Sequence, residues 1–384
     1  MVLLYRLRAI FMITFKRLWA QRSLTAATLL GLVTAVALIM TVPLYADAVY
    51  FRILQEELST NADRSRKPPF AYMYDYVGSW AGPVQWEDIQ SVDSYLLEDG
   101  ARALGLPAQL TVRHLETDRF RLYPADTTNY ANEAAAFGTF SFATTTYIAD
   151  HIEIVEGAYP NDGANPLEIL ISEEAASTLG LQVGDNLVAY DYAQDTSNPL
   201  ETAVRVAGVW RAADPETDFW FFRPPIFDDL MLVSEPAFVE QLSPMLNNEI
   251  TRAVWYLVLD GSSVNTSNAD ALVARSAQVE RRAENLLPKV RNVITPADGL
   301  RLYRTQAEQL TILLTAFNVP VIGLILAFIG LIVGLAVNQR RNEIAVMRSR
   351  GGTPAQVMGL ALVEGLLLGT VALGLGVIAA LGLV

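Results

Sequence analysis

Gln309 to Gln339 reads QLTILLTAFNVPVIGLILAFIGLIVGLAVNQ, 31 residues without one charged side chain. Spanning the hydrocarbon core of a bilayer takes about 20 apolar residues. This run is therefore long enough to cross a membrane, and its reading governs the rest of the chain. Two further stretches have the same character. Ser23–Ala46 holds 24 uncharged residues, and Gly365–Val384 holds 20, with apolar sequence continuing upstream past Glu364 to about Val357. Three transmembrane helices are expected, over residues 23–46, 310–337 and 357–384.

The basic residues orient these spans. Arg6, Arg8, Lys16, Arg17 and Arg22 precede the first span with no acid among them, and Arg340, Arg341, Arg348 and Arg350 follow the second against Glu343 alone. Basic residues near span ends mark the cytoplasmic side. The N-terminus and the 338–356 loop are therefore expected in the cytosol, and residues 48–308 outside an inner (plasma) membrane. That exterior stretch carries 19 Lys and Arg against 38 Asp and Glu. The first apolar run exceeds the 7–15 residues of a signal-peptide core, so an uncleaved anchor is expected despite Ala46-Asp47-Ala48. Residues 1–22 read either as a basic amphipathic helix on the inner leaflet or as a plain cytosolic extension of the first span.

Composition excludes several classes of function. Hydrophobic residues make up 52% of the 384 and charged residues 18%, the reverse of a disordered chain. With no cysteine, disulfides, thiolate metal sites and a cysteine nucleophile are ruled out. The two histidines, His114 and His151, do not suffice for a multi-histidine metal centre, so no metal is expected. A net charge of −13 argues against a nucleic-acid partner.

Residues 48–308 are ample for a folded exterior domain, here expected as two subdomains. Period-two alternation or short apolar runs predict strands at 71–77, 109–115, 151–155, 168–171, 186–192, 203–210, 230–233 and 253–259. Helices are expected at 86–103, 173–179, 237–246 and 269–286. The mixture indicates an α+β domain inserted between helical spans. Loops are expected at 67–69, 125–146, 196–201 and 261–268. Residues 218–227 place five aromatics in ten residues beside Pro224-Pro225. They read either as a contact patch for a partner or as a loop folded onto its own core. Pro296-Ala297-Asp298 opens a helical pattern whose first proline is Pro320, so a stalk helix is expected from about 297. Run to residue 338, it would measure roughly 63 Å, more than the bilayer core.

The cytosolic loop runs Asn338-Gln339-Arg340-Arg341-Asn342-Glu343-Ile344-Ala345-Val346-Met347-Arg348-Ser349-Arg350-Gly351-Gly352-Thr353-Pro354. A short amphipathic helix is expected here, with Ile344 and Met347 on one side, ended by Gly351-Gly352. Thr353 then caps the next helix, with Pro354 at its first position and Gln356 at its third. A rigid knuckle of this kind is what a second cytosolic protein can push on.

The order Arg340-Arg341, Glu343-Ile344, Arg348, Gly351, Gln356-Val357, then Glu364-Gly365-Leu366-Leu367-Leu368-Gly369, resembles the FtsX-like permease family, the membrane subunits of MacB-type ABC transporters. Glu156-Gly157-Ala158-Tyr159-Pro160, Glu168–Ala176, Leu179–Asp185 and Val204–Val209 resemble that family's periplasmic core domain. The likeness is specific at the cytosolic loop, partial at 155–185, and absent at 48–150 and 211–300. It implies a permease subunit that relays the ATP-driven motion of a separate cytosolic ABC ATPase to the exterior domain. Glu343, Ile344, Met347, Arg348, Gly351 and Gly352 would be the coupling contacts. The chain itself would bind no cofactor, with ATP used by the partner. A homodimer or a second permease half, an extracytoplasmic adaptor, and a peptide, lipoprotein or drug substrate are the other partners implied. The family unit has four spans, so this sequence reads as a partial chain.

Weaker signals complete the reading. No P-loop, Gly-x-Ser-x-Gly or His-Glu-x-x-His motif occurs, and no enzymatic activity is expected. Glu364 is an acid in an apolar helix, which marks function or a satisfied structural neighbour. Gly330 with Gly334, and Gly365 with Gly369, permit close helix packing or dimer contact. The alternative from another class is a membrane-anchored extracytoplasmic sensor or binding protein without ATPase coupling.

Overall fold

The computed structural model describes residues 22–191, 200–246, 250–339, 341–349, 351 and 353–382. The N-terminal basic segment, most of the 196–201 loop and Gly352 lie outside the described residues. The chain divides into two compact units, one of residues 1–55 with 303–384 and the other of residues 56–302.

The first unit is helical. It contains α1 (Arg22–Ser65) up to residue 55, α6 (Ala297–Gln339) from residue 303, α7 (Arg341–Ser349) and α8 (Pro354–Leu381). Among the described residues, two helices are long and apolar enough to cross a membrane, Ala297–Leu335 and Val357–Leu381, and Thr25–Thr41 is a shorter apolar helical stretch. Only 7% and 17% of the two long windows is buried within the chain, the reverse of core helices in a soluble fold. Leu324, Ile378 and Ile312 are each about two-thirds exposed or more. Apolar surface on this scale is stable only against lipid or other apolar surface. Hydroxyls of Tyr50 and Thr311, 2.6 Å apart, link α1 to α6.

The 56–302 unit is built on a ten-stranded sheet: β1 (Ala71–Val77), β2 (Ala108–Pro124), β3 (Gly138–Thr145), β4 (Ile152–Gly157), β5 (Leu167–Ser172), β6 (Asn186–Asp191), β7 (Glu201–Ala212), β8 (Leu230–Leu232), β9 (Arg252–Leu259) and β10 (Arg291–Ile294). The strand order is β10-β1-β9-β2-β3-β8-β5-β7-β4, with β6 bridging β2 and β7. That bridge closes a ring, β2-β3-β8-β5-β7-β6-β2. The 17-residue β2 belongs to both halves of the sheet. Its first part pairs with β9 and its last five residues with β6. β5 within the ring is buried at every position, and β9 outside it at every position but its first, so neither shows a strict alternation of buried and exposed residues.

Helices cover the sheet at two places. α2 (Trp86–Ser94) passes through a π-helical turn at Tyr95–Asp99 into α3 (Gly100–Leu104). α5 (Ala269–Leu286) buries Ala269, Leu272, Ser276, Val279 and Ala283, the stripe of an amphipathic helix. Between them in sequence, α4 (Glu173–Leu179) starts where the Ser172 hydroxyl accepts a bond from Ala175 N at 3.1 Å.

Two expectations need correction. Residues 125–146 are not one loop, because Gly138–Thr145 is β3, buried along most of its length between β2 and β8. Its Thr-rich sequence gives no long apolar run, and only its non-local partners make it a strand. Residues 237–246 begin as a π-helix, Ala237–Leu242, rather than a plain α-helix. The aromatic stretch follows the second of its two readings. Phe219, Trp220, Phe221 and Phe227 are all buried. Trp220 stacks 6.2 Å from Trp210 and meets Phe227 edge-on at 5.3 Å.

Candidate functional site

Of the residues singled out in the 338–356 loop, those the structure describes fall on α7 and the turn after it. α7 ends at Ser349, whose hydroxyl donates to Val346 O at 2.9 Å. Gly351 N then donates to Arg348 O at 3.1 Å, with Gly351 at φ +88. An L-residue with a side chain rarely adopts that conformation, so the reversal depends on glycine. α8 opens with Pro354 in its first turn, where a missing N–H costs nothing. Val357 N donates to Thr353 O at 3.3 Å and starts the new ladder.

On α7, Arg341, Ala345 and Arg348 recur at four- and three-residue spacing and so share one face. All three are exposed, as is Val346 at 52%. Arg348 makes no ion pair among the described residues. The side chains of Glu343, Ile344 and Met347 lie outside those described. The helix thus presents two guanidinium groups flanking a small apolar surface. Such a surface suits an acidic, partly apolar groove in another protein.

The remaining membrane-helix residues separate into two sets. Glu364, Ala372, Gly376 and Ala380 are buried and lie at four-residue multiples along α8, one continuous stripe. Glu364, 3% exposed, stands at the end of that stripe nearest α7. Gly365 and Gly369 are exposed beside the stripe, and Gly330 and Gly334 are exposed on α6. A Cβ added at any of these four would meet no atom within 4 Å. Among the described residues, Gly376 instead sets a close helix approach against Val36 of α1, and a Cβ on Gly299 of α6 would lie 3.1 Å from Glu57 O of α1. Sequence spacing alone missed it, because a glycine's partner helix is not written in its own pattern.

In the 56–302 unit, two of the stretches noted in the sequence meet in space. Gly157 of β4 pairs with Gly208 of β7. A Cβ on Gly157 would collide with Ala207 O, and one on Gly208 would sit 2.7 Å from Ala158 O. The glycines are therefore needed for this strand approach.

His114 is the centre of a buried polar cluster. Its Nδ1 lies 2.6 Å from Thr145 Oγ1 and its Nε2 lies 2.7 Å from Glu116 Oε1. Burial pushes the Glu116 carboxyl up, but the bond from His114 and the charges of His114, Arg252 and Arg119 outweigh it and leave its pKa lowered. The order hydroxyl–imidazole–carboxylate is that of a nucleophile relay. His114 is only 1% exposed and lies 5.1 Å from the Phe221 ring, so the cluster meets no cleft and ties β2 to β3 instead. Glu168 is similar. It accepts from Asn161 N and Nδ2 at 2.9 and 2.8 Å and pairs with Arg205 at 2.5 Å, which together hold its pKa down. Among the described residues, no cluster of three or more acids and histidines is arranged to hold a metal.

The chain matches none of the curated proteins with which it was compared. Among solved structures it is similar to a domain ascribed to a permease protein of Porphyromonas gingivalis. The identity is 16%, the match covers 56% of this chain and 83% of that one, and the TM-score is 0.27. A score that low carries neither fold nor role across. Residues 315–384, which hold the second half of α6, the exposed α7 knuckle and α8, match the family model of the FtsX-like permease C-terminal domain.

Proposed function

We propose that this chain is a permease subunit of an ABC transporter complex, coupled to a separate cytosolic ATPase through the α7 knuckle. The observation that carries the reading is the family match over 315–384. That segment contains the turn whose geometry requires Gly351 and the exposed guanidinium of Arg348. In this reading α1, α6 and α8 cross the membrane, α7 faces the cytosol, and the acidic 56–302 unit stands outside.

Helix continuity supports a mechanical relay. α6 is one helix from Ala297 to Gln339, beginning in the 56–302 unit and ending one residue before α7. A helix absorbs an axial push or a tilt less readily than a loop does, although Pro320 removes one N–H from the ladder of α6 and marks the place where it can bend. Closure of an ATPase dimer against α7 would then reach the exterior unit along α6, to expel, extract or activate a substrate there. A dimer or a paired permease half would supply the second lever.

The experiment is co-purification from membranes with the ATPase encoded beside this chain, recognised by its Walker A and signature motifs. Wild type retains the ATPase, and the paired reversal Glu343→Lys with Arg348→Glu releases it while the exterior unit keeps its protease resistance. Retention of the ATPase by the double variant would refute the coupling assignment.

A further inference from the structure

The aromatic segment does more than fill the core, because its rim forms one wall of a cleft of about 390 Å³. The opposite wall is the turn that follows α1, Arg66-Lys67-Pro68. Arg66, Lys67 and Arg223 line the cleft together with Glu216 and Asp218. Three cations converging in one cleft are notable in a stretch whose acids outnumber its bases two to one. We infer that this cleft binds an extended, carboxylate-bearing peptide segment, with Arg66 and Arg223 pairing the carboxylate.

Four observations support the assignment. First, neither the Arg66 nor the Arg223 guanidinium makes a hydrogen bond or ion pair with any described residue, although both are exposed and carboxylates line the same cleft. Two unengaged guanidinium groups are ready to take a carboxylate bidentately. Second, the site is preorganised. Lys67 Nζ donates to Trp220 O at 2.5 Å, Trp220 Nε1 donates to Asp214 O at 3.0 Å, and Glu216 N donates to Asp214 Oδ1 at 3.0 Å. Pro68, Pro215, Pro224 and Pro225 stiffen the walls. A wall already fixed loses little entropy when a ligand binds.

Third, Arg66 stands at φ +54, in the left-handed region that a non-glycine residue seldom occupies. The turn that delivers Arg66 and Lys67 to the cleft thus holds an uncommon backbone conformation. Fourth, burial lowers the Lys67 pKa, Asp218 opposes that shift, and Arg223 adds to it. An anion in the cleft would relieve the crowding of like charges.

The two acids select the class of ligand. A bare phosphate gains from the cations but is repelled by Glu216 and Asp218. An extended peptide offers both partners at once, a carboxylate for the arginines and backbone N–H donors for the acids. The volume falls within the range of roughly 300–1,000 Å³ usual for ligand sites. The assignment does not depend on the ATPase reading, since it uses only residues of the 56–302 unit.

The test is titration calorimetry on the full chain in nanodiscs. The probes are Ac-Ala-Ala-Glu-Glu-Ala-OH, its neutral counterpart Ac-Ala-Ala-Gln-Gln-Ala-NH2, and inorganic phosphate. The acidic peptide binds, the neutral peptide binds at least tenfold more weakly, and the double variant Arg66→Gln/Arg223→Gln loses at least tenfold in affinity. Because both arginines are exposed, an unchanged thermal midpoint in that variant shows the loss is local. Equal binding of both peptides, unchanged affinity in the double variant, or phosphate binding in place of the acidic peptide would each overturn the inference.

Discussion

Gly376 of α8 lies directly against Val36 of α1. A Cβ on the glycine would fall 2.6 Å from Val36 Cγ1 and 3.2 Å from Val33 O. The two helices therefore approach backbone to side-chain base with no room for a methyl group. Small residues at such contacts let helices pack closely in an apolar solvent, where van der Waals contact is the main driving force. Gly376→Ala should lower the stability of the helical unit by about 1–3 kcal/mol through overpacking. Gly369→Ala, at a position open on all sides, should leave stability unchanged or raise it slightly. Thermal unfolding of the two variants in the same nanodiscs checks this pair, and equal midpoints would contradict it.

The open glycines bear on assembly. Since Gly330, Gly334, Gly365 and Gly369 meet no neighbour among the described residues, they are open to packing by a partner helix. If the chain pairs with a second copy through them, Gly330→Leu/Gly334→Leu should reduce the cross-linked dimer in membranes severalfold without shifting the monomer's own unfolding. An undiminished dimer would place the interface elsewhere.

Acid sensitivity of the 56–302 unit follows from Glu168 and Glu116, whose folded pKa values are both lowered. A carboxylate whose folded value lies below its unfolded value of about 4.3 adds stability at higher pH. That contribution is complete above the unfolded value and is lost as pH falls through the folded one. The urea midpoint followed by tryptophan fluorescence should therefore drop between pH 6 and pH 3. Glu168→Gln should lower the midpoint at pH 6 and flatten its decline toward pH 3. An unaltered slope would show that the Asn161 and Arg205 contacts do not bind the folded state to pH.

Arg113 and Asp93 form a buried pair at 2.8 Å, with Trp255 Nε1 donating to the same carboxylate at 2.8 Å and Glu235 pairing Arg113 from the other side. Removing one partner of such a pair typically costs about 3–5 kcal/mol, because the other charge stays buried alone. Arg113→Met should destabilise by about that amount, and Arg113→Met/Asp93→Leu by clearly less. A double variant as unstable as the single would refute the pairing as the source of the cost.

Much of this architecture was legible because it rests on local periodicity. The runs at 71–77, 173–179 and 269–286 give β1, α4 and α5 with the same bounds. Spacings of three and four residues along α5 announce its buried stripe directly. What stayed hidden depends on partners distant in sequence. β3 is a strand because β2 and β8 flank it, and its Gly-Thr-Phe-Ser-Phe-Ala-Thr-Thr sequence alone resembles a polar loop. The His114–Thr145 contact was hidden with it. At the candidate coupling site, the turn was readable from Gly351, Thr353 and Pro354, since each reports a local backbone demand. The helix contact at Gly376 and the cleft between Arg66 and Arg223 were not readable, because each joins segments far apart in sequence.

The central claim is that α7 receives the stroke of a separate motor. Its most direct test is the ATP hydrolysis rate of the partner ATPase reconstituted with this chain in nanodiscs. Wild-type chain should stimulate hydrolysis severalfold over the ATPase alone, and Arg348→Glu should abolish the stimulation while the 56–302 unit keeps its tryptophan fluorescence. Full stimulation by Arg348→Glu, together with full stimulation by a chain in which residues 341–349 are replaced by a Gly/Ser linker, would contradict the account.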